Sequence, residues 1–457
     1  MSTIPLVDNI EAPAYPTFVE MTATFAKISV LSFGGPAGQI ALMHKVLVEE
    51  KRWISEERFL HALSYCTLLP GPEAQQLATY VGWLLHGTKG GVVAGTLFVV
   101  PGFFVILALS AIYALFHQVE LLASLFYGLK AAVLAIVVEA VRRVSKRALK
   151  NEVMVAVAAI AFVALFFFAV PFPIVVLAAG IVGYAGARAR PDIFKSGGHK
   201  AAGDVSGLAV IDDNVPDLTP SWGLAARTLL IWGALWIAPL LVIIPLFGWD
   251  STFASVFSFF SQMAVVTFGG AYAVLAYVAQ EAVQTFGWLR PGEMIDGLAL
   301  AETTPGPLVL VLTFVGFLAT YRAPLFLEPL WAGVLGAFLT TWATFVPCFL
   351  WIFLGAPFIE RLRSNAALSG ALGTITAAVV GVILNLAIWF ALHVVFRHVD
   401  EIAVGPLRMA WPDWASIDPI ALILAVLAAV AMFWLKLGMV KTLALFGAAG
   451  LAVGWVL

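Results

Sequence analysis

Ser32-Phe33-Gly34-Gly35-Pro36 with Leu69-Pro70-Gly71-Pro72-Glu73, and Thr267-Phe268-Gly269-Gly270 with Glu302-Thr303-Thr304-Pro305-Gly306-Pro307, are the stretches whose reading decides the fold. Each lies in an apolar run long enough for a membrane helix. Yet Gly costs about 1 kcal/mol and Pro about 3 kcal/mol against Ala inside a helix. Backbone broken within lipid is tolerated only where protein or a water-filled cavity covers it. A break also leaves a helix N-terminus, whose unpaired N–H groups attract anions. The expectation is a transporter, and one that carries an anion.

Composition agrees with the membrane reading. The chain is 62% hydrophobic and 11% charged, with a mean hydropathy of +0.98, against about 45–50% apolar and about 25% charged in soluble domains. Residues 1–17 are polar and acidic with no basic region before the first apolar run, so the first hydrophobic segments are expected to direct insertion. Cys66 and Cys348 both fall in apolar segments, which favours core positions over a disulfide or metal pair.

A span needs about 20 apolar residues. On that rule segments lie near 18–43, 57–85, 91–116, 119–141, 153–169 and 172–187, then near 225–248, 253–279, 295–320, 328–355, 366–396, 417–434 and 437–456. Pro171-Phe172-Pro173 is expected to turn a tight hairpin. The fold class expected is an all-α polytopic membrane protein of about thirteen transmembrane or re-entrant helices. Its parts are an N-terminal tail (1–17), a first transporter repeat (18–190), a polar, exposed cytoplasmic linker (191–221) and a second repeat with one extra helix (222–457).

The repeat is read directly from identities. At an offset of 235, Phe25, Phe33, Gly34, Gly35, Trp53, Pro70, Gly71 and Pro72 meet Phe260, Phe268, Gly269, Gly270, Trp288, Pro305, Gly306 and Pro307. At 234, Thr79, Val81 and Gly82 meet Thr313, Val315 and Gly316. Further on, Pro101 meets Pro347 and Ala131-Ala132-Val133 meets Ala377-Ala378-Val379. This is a duplication.

Basic residues set the orientation. Lys45, Lys51, Arg52 and Arg58 mark one inside loop, Arg142, Arg143, Lys146, Arg147 and Lys150 another. The loop equivalent to the first keeps only Arg290. The extra segment at 225–248 changes parity, so the second repeat is expected to be inverted, with the N-terminus cytoplasmic and the C-terminus external. Inverted repeats with broken helices meeting at the midplane are a recurrent carrier plan. A full crossing by 18–43 would put the loop 45–58 outside, so 18–43 and 57–85 read either as re-entrant hairpins or as a local failure of the charge rule.

Phe-Gly-Gly-Pro followed by a Pro-Gly-Pro segment, duplicated in a chain of this length, resembles the long-chain, two-domain chromate ion transporter family. The matching motifs are Ser32 to Gln39, Leu69 to Gln76, Thr267 to Tyr272 and Glu302 to Pro307, and the similarity covers both halves. The resemblance implies efflux of chromate from a bacterial cytoplasm across the inner membrane, with sulfate as a structural mimic. It leaves a homodimer open. Ala271 replaces Pro36 and Leu308 replaces Glu73 in the second copy, so the halves should contribute unequally.

The residues themselves say what such a site needs. A tetrahedral dianion entering lipid must exchange its hydration for fixed donors. Gly34, Gly35 and Gly71 let backbone N–H groups approach closely, and Gly269, Gly270 and Gly306 repeat the pattern between Pro36, Pro70, Pro72, Pro305 and Pro307. Gln39, Gln75, Gln76, Thr303 and Thr304 offer side-chain donors. The competing reading is that the glycines merely allow close helix packing. Lys27, Glu73 and Glu302 are the ionisable residues in or beside the broken segments, where charge is expensive. Lys27 would offset substrate charge. Ionised Glu73 and Glu302 would repel a dianion, so their protonation offers a means of coupling. Lys130 and Glu139 read as structural.

Other chemistry finds no support. There is no phosphate-binding Gly-x-x-x-x-Gly-Lys-[Ser/Thr] loop and no His-Glu-x-x-His pair, so neither ATP, a metal nor another cofactor is expected. The fifteen Trp residues suit membrane interfaces more than nucleic-acid stacking. The reading is a secondary exporter of chromate or a similar oxyanion, not an enzyme, driven by membrane potential or a proton gradient. A sulfate-type uptake carrier, an anion channel and an intramembrane enzyme stay open as alternatives.

Overall fold

The computed structural model describes residues 14–33, 35–116, 119–194, 209–211, 221–268, 271–356 and 365–456. Gly34, Gly269, Gly270 and most of the tail and linker lie outside them.

The first half begins with α1 (Phe18–Leu31), started by Thr17, whose hydroxyl accepts from the Glu20 N–H. It stops at Ser32, where the backbone leaves helical geometry (φ −79°, ψ 73°). The chain resumes as α2 (Gly35–His44) and tightens into a π-helical turn over Lys45–Glu50. Lys51 Nζ then meets Glu20 Oε1 at 3.0 Å. The end of this unit is therefore back beside its beginning, and 18–51 is a hairpin with its break at the tip.

The next unit repeats the manoeuvre. α3 (Glu56–Cys66), capped by Ser55, gives way at 67–72 to non-helical chain, and α4 (Glu73–Phe116) follows. Within α4 the backbone is non-helical at His86 and Gly87, so 73–85 and 88–116 run as two helices folded against each other. A Cβ on Gly82 would lie 2.5 Å from the Gly90 carbonyl oxygen. Small residues there are what lets the backbones approach. α5 (Glu120–Ala148), α6 (Glu152–Phe168), α7 (Phe172–Ala189) and the short α8 (Pro191–Phe194) complete this half. Ala169 and Pro171 turn the α6–α7 hairpin where the prolines place it.

The second half follows the same order. α9 (Trp222–Ile237) and α10 (Leu240–Phe247) have no counterpart in the repeat; α9 has no buried residue and stacks Trp232 on Phe349. Then come α11 (Thr252–Val266), α12 (Ala271–Gln280) with a second π-helical turn at Glu281–Thr285, and α13 (Glu293–Glu302). A 3-10 turn over Leu308–Leu310 leads into α14 (Val311–Arg322), followed by α15 (Pro329–Gly355), α16 (Ala366–Val395), α17 (Pro419–Phe433) and α18 (Met439–Val456). Gly316 lies against Gly336 and Thr340, the positions equivalent to Gly82 against Gly90 and Ala94. At the centre, α16 packs on α5, α6, α7 and α12, while α5 packs on α13, α17 and α18.

This is an all-α polytopic membrane fold, and it differs from the sequence reading in three places. Among the described residues six helical stretches are long and apolar enough to cross a membrane, 73–116, 120–148, 172–189, 222–247, 329–355 and 366–395, of which 73–116 and 222–247 each consist of two helices. Other segments counted towards thirteen are shorter apolar helices, such as Thr252–Val266, or are split by the Gly and Pro breaks. The linker is not wholly exposed. Ile211 is buried and pairs with Ile54, its N–H and carbonyl bonded to Trp53 O and Ser55 N. A two-stranded antiparallel hairpin, Val399–Val404 with Leu407–Pro412, turns at Gly405 (φ +60°) between α16 and α17.

Candidate functional site

The two pairs of breaks meet. Gly71 donates its N–H to Thr267 O at 2.8 Å, and its repeat equivalent Gly306 donates to Ser32 O, the equivalent of Thr267, at 2.9 Å. Gln39 Nε2 adds a bond to Gly306 O at 2.5 Å. Each half thus satisfies backbone groups that the break in the other half leaves open, which apolar surroundings require.

Both central glycines are bound by conformation and by space. Gly71 has φ +122° and Gly306 φ +92°, and a Cβ on Gly71 would lie 2.8 Å from Cys348 Sγ and 2.9 Å from Gln76 Nε2. Only glycine fits such a position without strain.

Beside this junction lies a cavity of about 270 Å³. Four chain starts border it: Pro36 and Ala37 of α2, Pro72, Glu73 and Ala74 opening α4, Ala271 and Tyr272 of α12, and Pro307, Leu308 and Val309 leading into α14. Proline suits the first turn because its missing N–H would have no helical acceptor there. The remaining first-turn N–H groups have no partner within the helix, and the helix dipoles add positive potential. Gln39, Ile40, Thr67 and Leu68 line the wall of the first hairpins, and Ser369, Leu372, Gly373, Thr376 and Ile383 line that of α16. α5 contributes Ala140, Arg143, Val144 and Arg147. Arg143 and Arg147 are exposed, so the cavity reaches the surface there. Among the described residues neither guanidinium has an ion pair.

Of the residues singled out from sequence, Pro36, Gln39, Pro72, Glu73 and Pro307 line the cavity. Glu302 stands behind its wall, fully buried, with Oε1 accepting from the hydroxyl of the cavity residue Tyr272 at 2.6 Å and Oε2 unpartnered. The amides of Gln75 and Gln76 donate inward to the protein, to Thr79 Oγ1 at 3.1 Å and Pro70 O at 2.7 Å. Thr303 and Thr304 both donate to Leu300 O at the end of α13. Pro305 packs its carbonyl against Gly102. Gly35, at φ +69°, opens α2 one residue before the cavity lining. Lys27 is on the exposed face of α1 and is not among the lining residues.

Sequence reading missed Arg143, Arg147, Tyr272, Ser369 and Thr376. It took Arg142 to Lys150 as a loop, whereas α5 continues to Ala148 and carries Arg143 and Arg147 one turn apart on the same face. Their i,i+4 spacing was the available signal. It missed Asp296 as well, which pairs with Lys130 at 3.4 Å.

Comparison with known proteins places the chain among transport proteins. Residues 19–184 and 254–454 match the family model described as chromate transporter. The chain is 31% identical to the chromate transport protein of Pseudomonas aeruginosa, over 86% of this chain and 85% of that protein. It is 26% identical to a probable chromate transport protein of Synechococcus elongatus, over 93% and 97%, and 29% identical to the chromate transport protein of Cupriavidus metallidurans, over 83% and 84%. No solved structure matches.

Proposed function

Because the chain belongs to the chromate transporter family, we propose that it is a secondary carrier exporting chromate, or a similar tetrahedral oxyanion, across the bacterial inner membrane. The observation that carries this reading is the convergence on one cavity between the halves of four chain starts and two guanidiniums without an ion pair among the described residues. First-turn N–H groups supply fixed donors without a side chain in the way. Arg143 and Arg147 supply charge and planar donors suited to oxyanions. Sulfate, of the same shape and charge, is a second substrate on this reading.

The substrate rests between the breaks, among Pro36, Gln39, Pro72, Glu73, Tyr272 and Pro307, with Gly35, Gly71 and Gly306 shaping the backbone. Gly34, Gly269 and Gly270, outside the described residues, are assigned to the site on the sequence pattern alone. Glu73 opens α4 and competes with an incoming anion for the same positive potential. Protonation of Glu73 and Glu302 relieves that competition, so loading depends on pH, while export against the inward proton gradient needs these protons to stay on the protein or leave to the cytoplasm. An interior-negative potential also helps expel a dianion, by about 2.3 kcal/mol per charge per 100 mV.

The repeats are related by an axis in the membrane plane. The reciprocal bonds of Gly71 and Gly306 fit a two-fold exchange of the halves, and the parity change from the extra segment at 225–248 is what puts the axis in the membrane plane on this reading. The cavity mouth at Arg143 and Arg147, next to the basic residues 146 and 150, is then cytoplasmic, as is the N-terminus, with the C-terminus external.

Purified full-length protein in liposomes tests the reading. Chromate and sulfate should move saturably, and faster when the imposed potential favours anion exit. No saturable chromate flux under any imposed potential or pH gradient would end it. A linear, non-saturating flux would indicate a channel.

A further inference from the structure

The two halves are equivalent in sequence but differ in how their hairpins close. α2 and α5 both border the cavity, through Ala37 and Ile40 on one and Ala140 and Val144 on the other; the chain just after α3, at Thr67 and Leu68, and α16 do the same. By the repeat offsets the equivalent pairs are α12 with α16 and α13 with α5, and the members of each pair are packed against each other. What is a gap on one side of the molecule is a closed seam on the other.

An ion pair sits in that seam. Asp296, 5% exposed on α13, faces Lys130 Nζ at 3.4 Å through Oδ1 and accepts from the Tyr113 hydroxyl at 2.9 Å through Oδ2. Along α5 the distance from Lys130 to Arg143 at the cavity mouth is about 20 Å. One turn nearer the start of α13, Arg322 clasps Glu293 with bonds of 2.7 and 2.8 Å. At the repeat-equivalent positions the open side has Thr376 in place of Lys130 and His61 in place of Asp296. Thr376 lines the cavity, and His61 pairs along its own helix with Glu57 at 3.9 Å.

We propose that the Lys130–Asp296 pair, fastened by Tyr113, is the closed gate on the exit side of the carrier, and that Lys130 receives the oxyanion when the gate parts. This rests on the carrier reading above. A carrier exposes its site alternately, so the α12–α16 and α13–α5 seams must open as the α2–α5 and α3–α16 gap shuts. Parting Lys130 from Asp296 leaves a half-buried cation and a buried carboxylate without their counter-ions, which is costly. A dianion arriving from the cavity can take the place of Asp296 and remove the cation's part of that cost. The pair then opens readily when substrate is present and resists opening when it is absent, which limits leak. Arg322 keeps Glu293 throughout and anchors α13 to α14.

Sidedness of labelling tests this without relying on transport. A reporter Ser369→Cys is placed on the cavity wall of the full-length chain, with Cys66→Ala and Cys348→Ala. A membrane-impermeant maleimide is then applied to right-side-out and to inside-out vesicles. With the pair intact the reporter should label from the cytoplasmic face alone. Asp296→Asn should add strong labelling from the external face, Tyr113→Phe should do so more weakly, and the exchange K130D with D296K should restore one-sided labelling. A pair that merely stabilises the fold would lower abundance without changing the side. External labelling of the intact-pair protein would overturn the proposal. So would one-sided labelling that persists in both Asp296→Asn and Tyr113→Phe at normal membrane abundance. If the side switches as expected but liposomes move no chromate, the gate stands and the substrate assignment falls.

Discussion

Gly71 reaches across the molecule to Thr267, its backbone N–H donating to the threonine carbonyl at 2.8 Å. Because Gly306 and Ser32 repeat the bond with the roles exchanged, neither half can satisfy its own broken backbone without the other. The halves are in this sense a single polar junction wrapped in apolar helices. That junction fixes where the cavity lies, since the residues after each break begin the helices that border it.

The junction predicts unequal costs for bulk at two glycines. Gly71→Ala forces a side chain onto Cys348 and Gln76 in a left-handed backbone, and should lose both the strain energy of about 1–2 kcal/mol and the bond to Thr267. Gly35→Ala meets no atom within 4 Å and should lose only the backbone term, about 1 kcal/mol. Thermal unfolding in detergent should show the larger fall for Gly71→Ala. Equal falls would mean that the seat around Gly71 is looser than the structure has it.

Removal of either guanidinium should weaken substrate capture. Arg143→Gln or Arg147→Gln deletes charge-assisted bonds worth about 1.5–3 kcal/mol, so KM for chromate should rise by about ten- to a hundred-fold, with the fold unaffected because both side chains are exposed. Arg143→Lys keeps charge but not the planar fork and should fall between. Unchanged KM in the double variant would move the substrate away from this cavity.

Glu73 should govern the pH response. Its carboxylate shares the cavity with Arg143 and Arg147, so an ionised Glu73 opposes dianion entry and a protonated one does not. Transport should therefore decline as pH rises, and Glu73→Gln should flatten that decline while leaving transport in place. Glu302→Gln should act in the same direction, with Tyr272→Phe altering the profile through the 2.6 Å bond they share. A wild-type pH profile in Glu73→Gln and Glu302→Gln together would remove both carboxyls from the coupling.

The two loops that close equivalent hairpins should face opposite sides of the membrane. Single cysteines within 45–58 and 280–294, labelled in oriented vesicles, should report the cytoplasm and the exterior respectively. Labelling from one common side would rule out the inverted relation of the repeats.

Much of this architecture is legible in the chain. Gly and Pro interrupt apolar runs at 32–36 and 69–73, and again at 267–270 and 302–307; the helices stop at 31, 66, 266 and 302 accordingly. The duplication was equally open to reading, because its identities include the glycines at which helices touch. Less legible were the elements without apolar length. The hairpin at 399–412 is short, and Ile211 is a lone apolar residue in a polar linker.

By itself, then, the sequence determined the membrane class, the duplication and the positions of the breaks, since these follow from local hydropathy and the backbone limits of Gly and Pro. Which residues share the cavity was decided only by tertiary structure. Arg143 and Arg147 look like a loop's orientation signal until α5 is seen to continue beneath them. Lys130 and Asp296 belong to different repeats, and no local property of either predicts the other. The asymmetry between gap and seam is likewise invisible in a duplicated sequence, because two similar halves state the same preferences twice. Only packing, which cannot satisfy both sides at once, chooses which of them is closed.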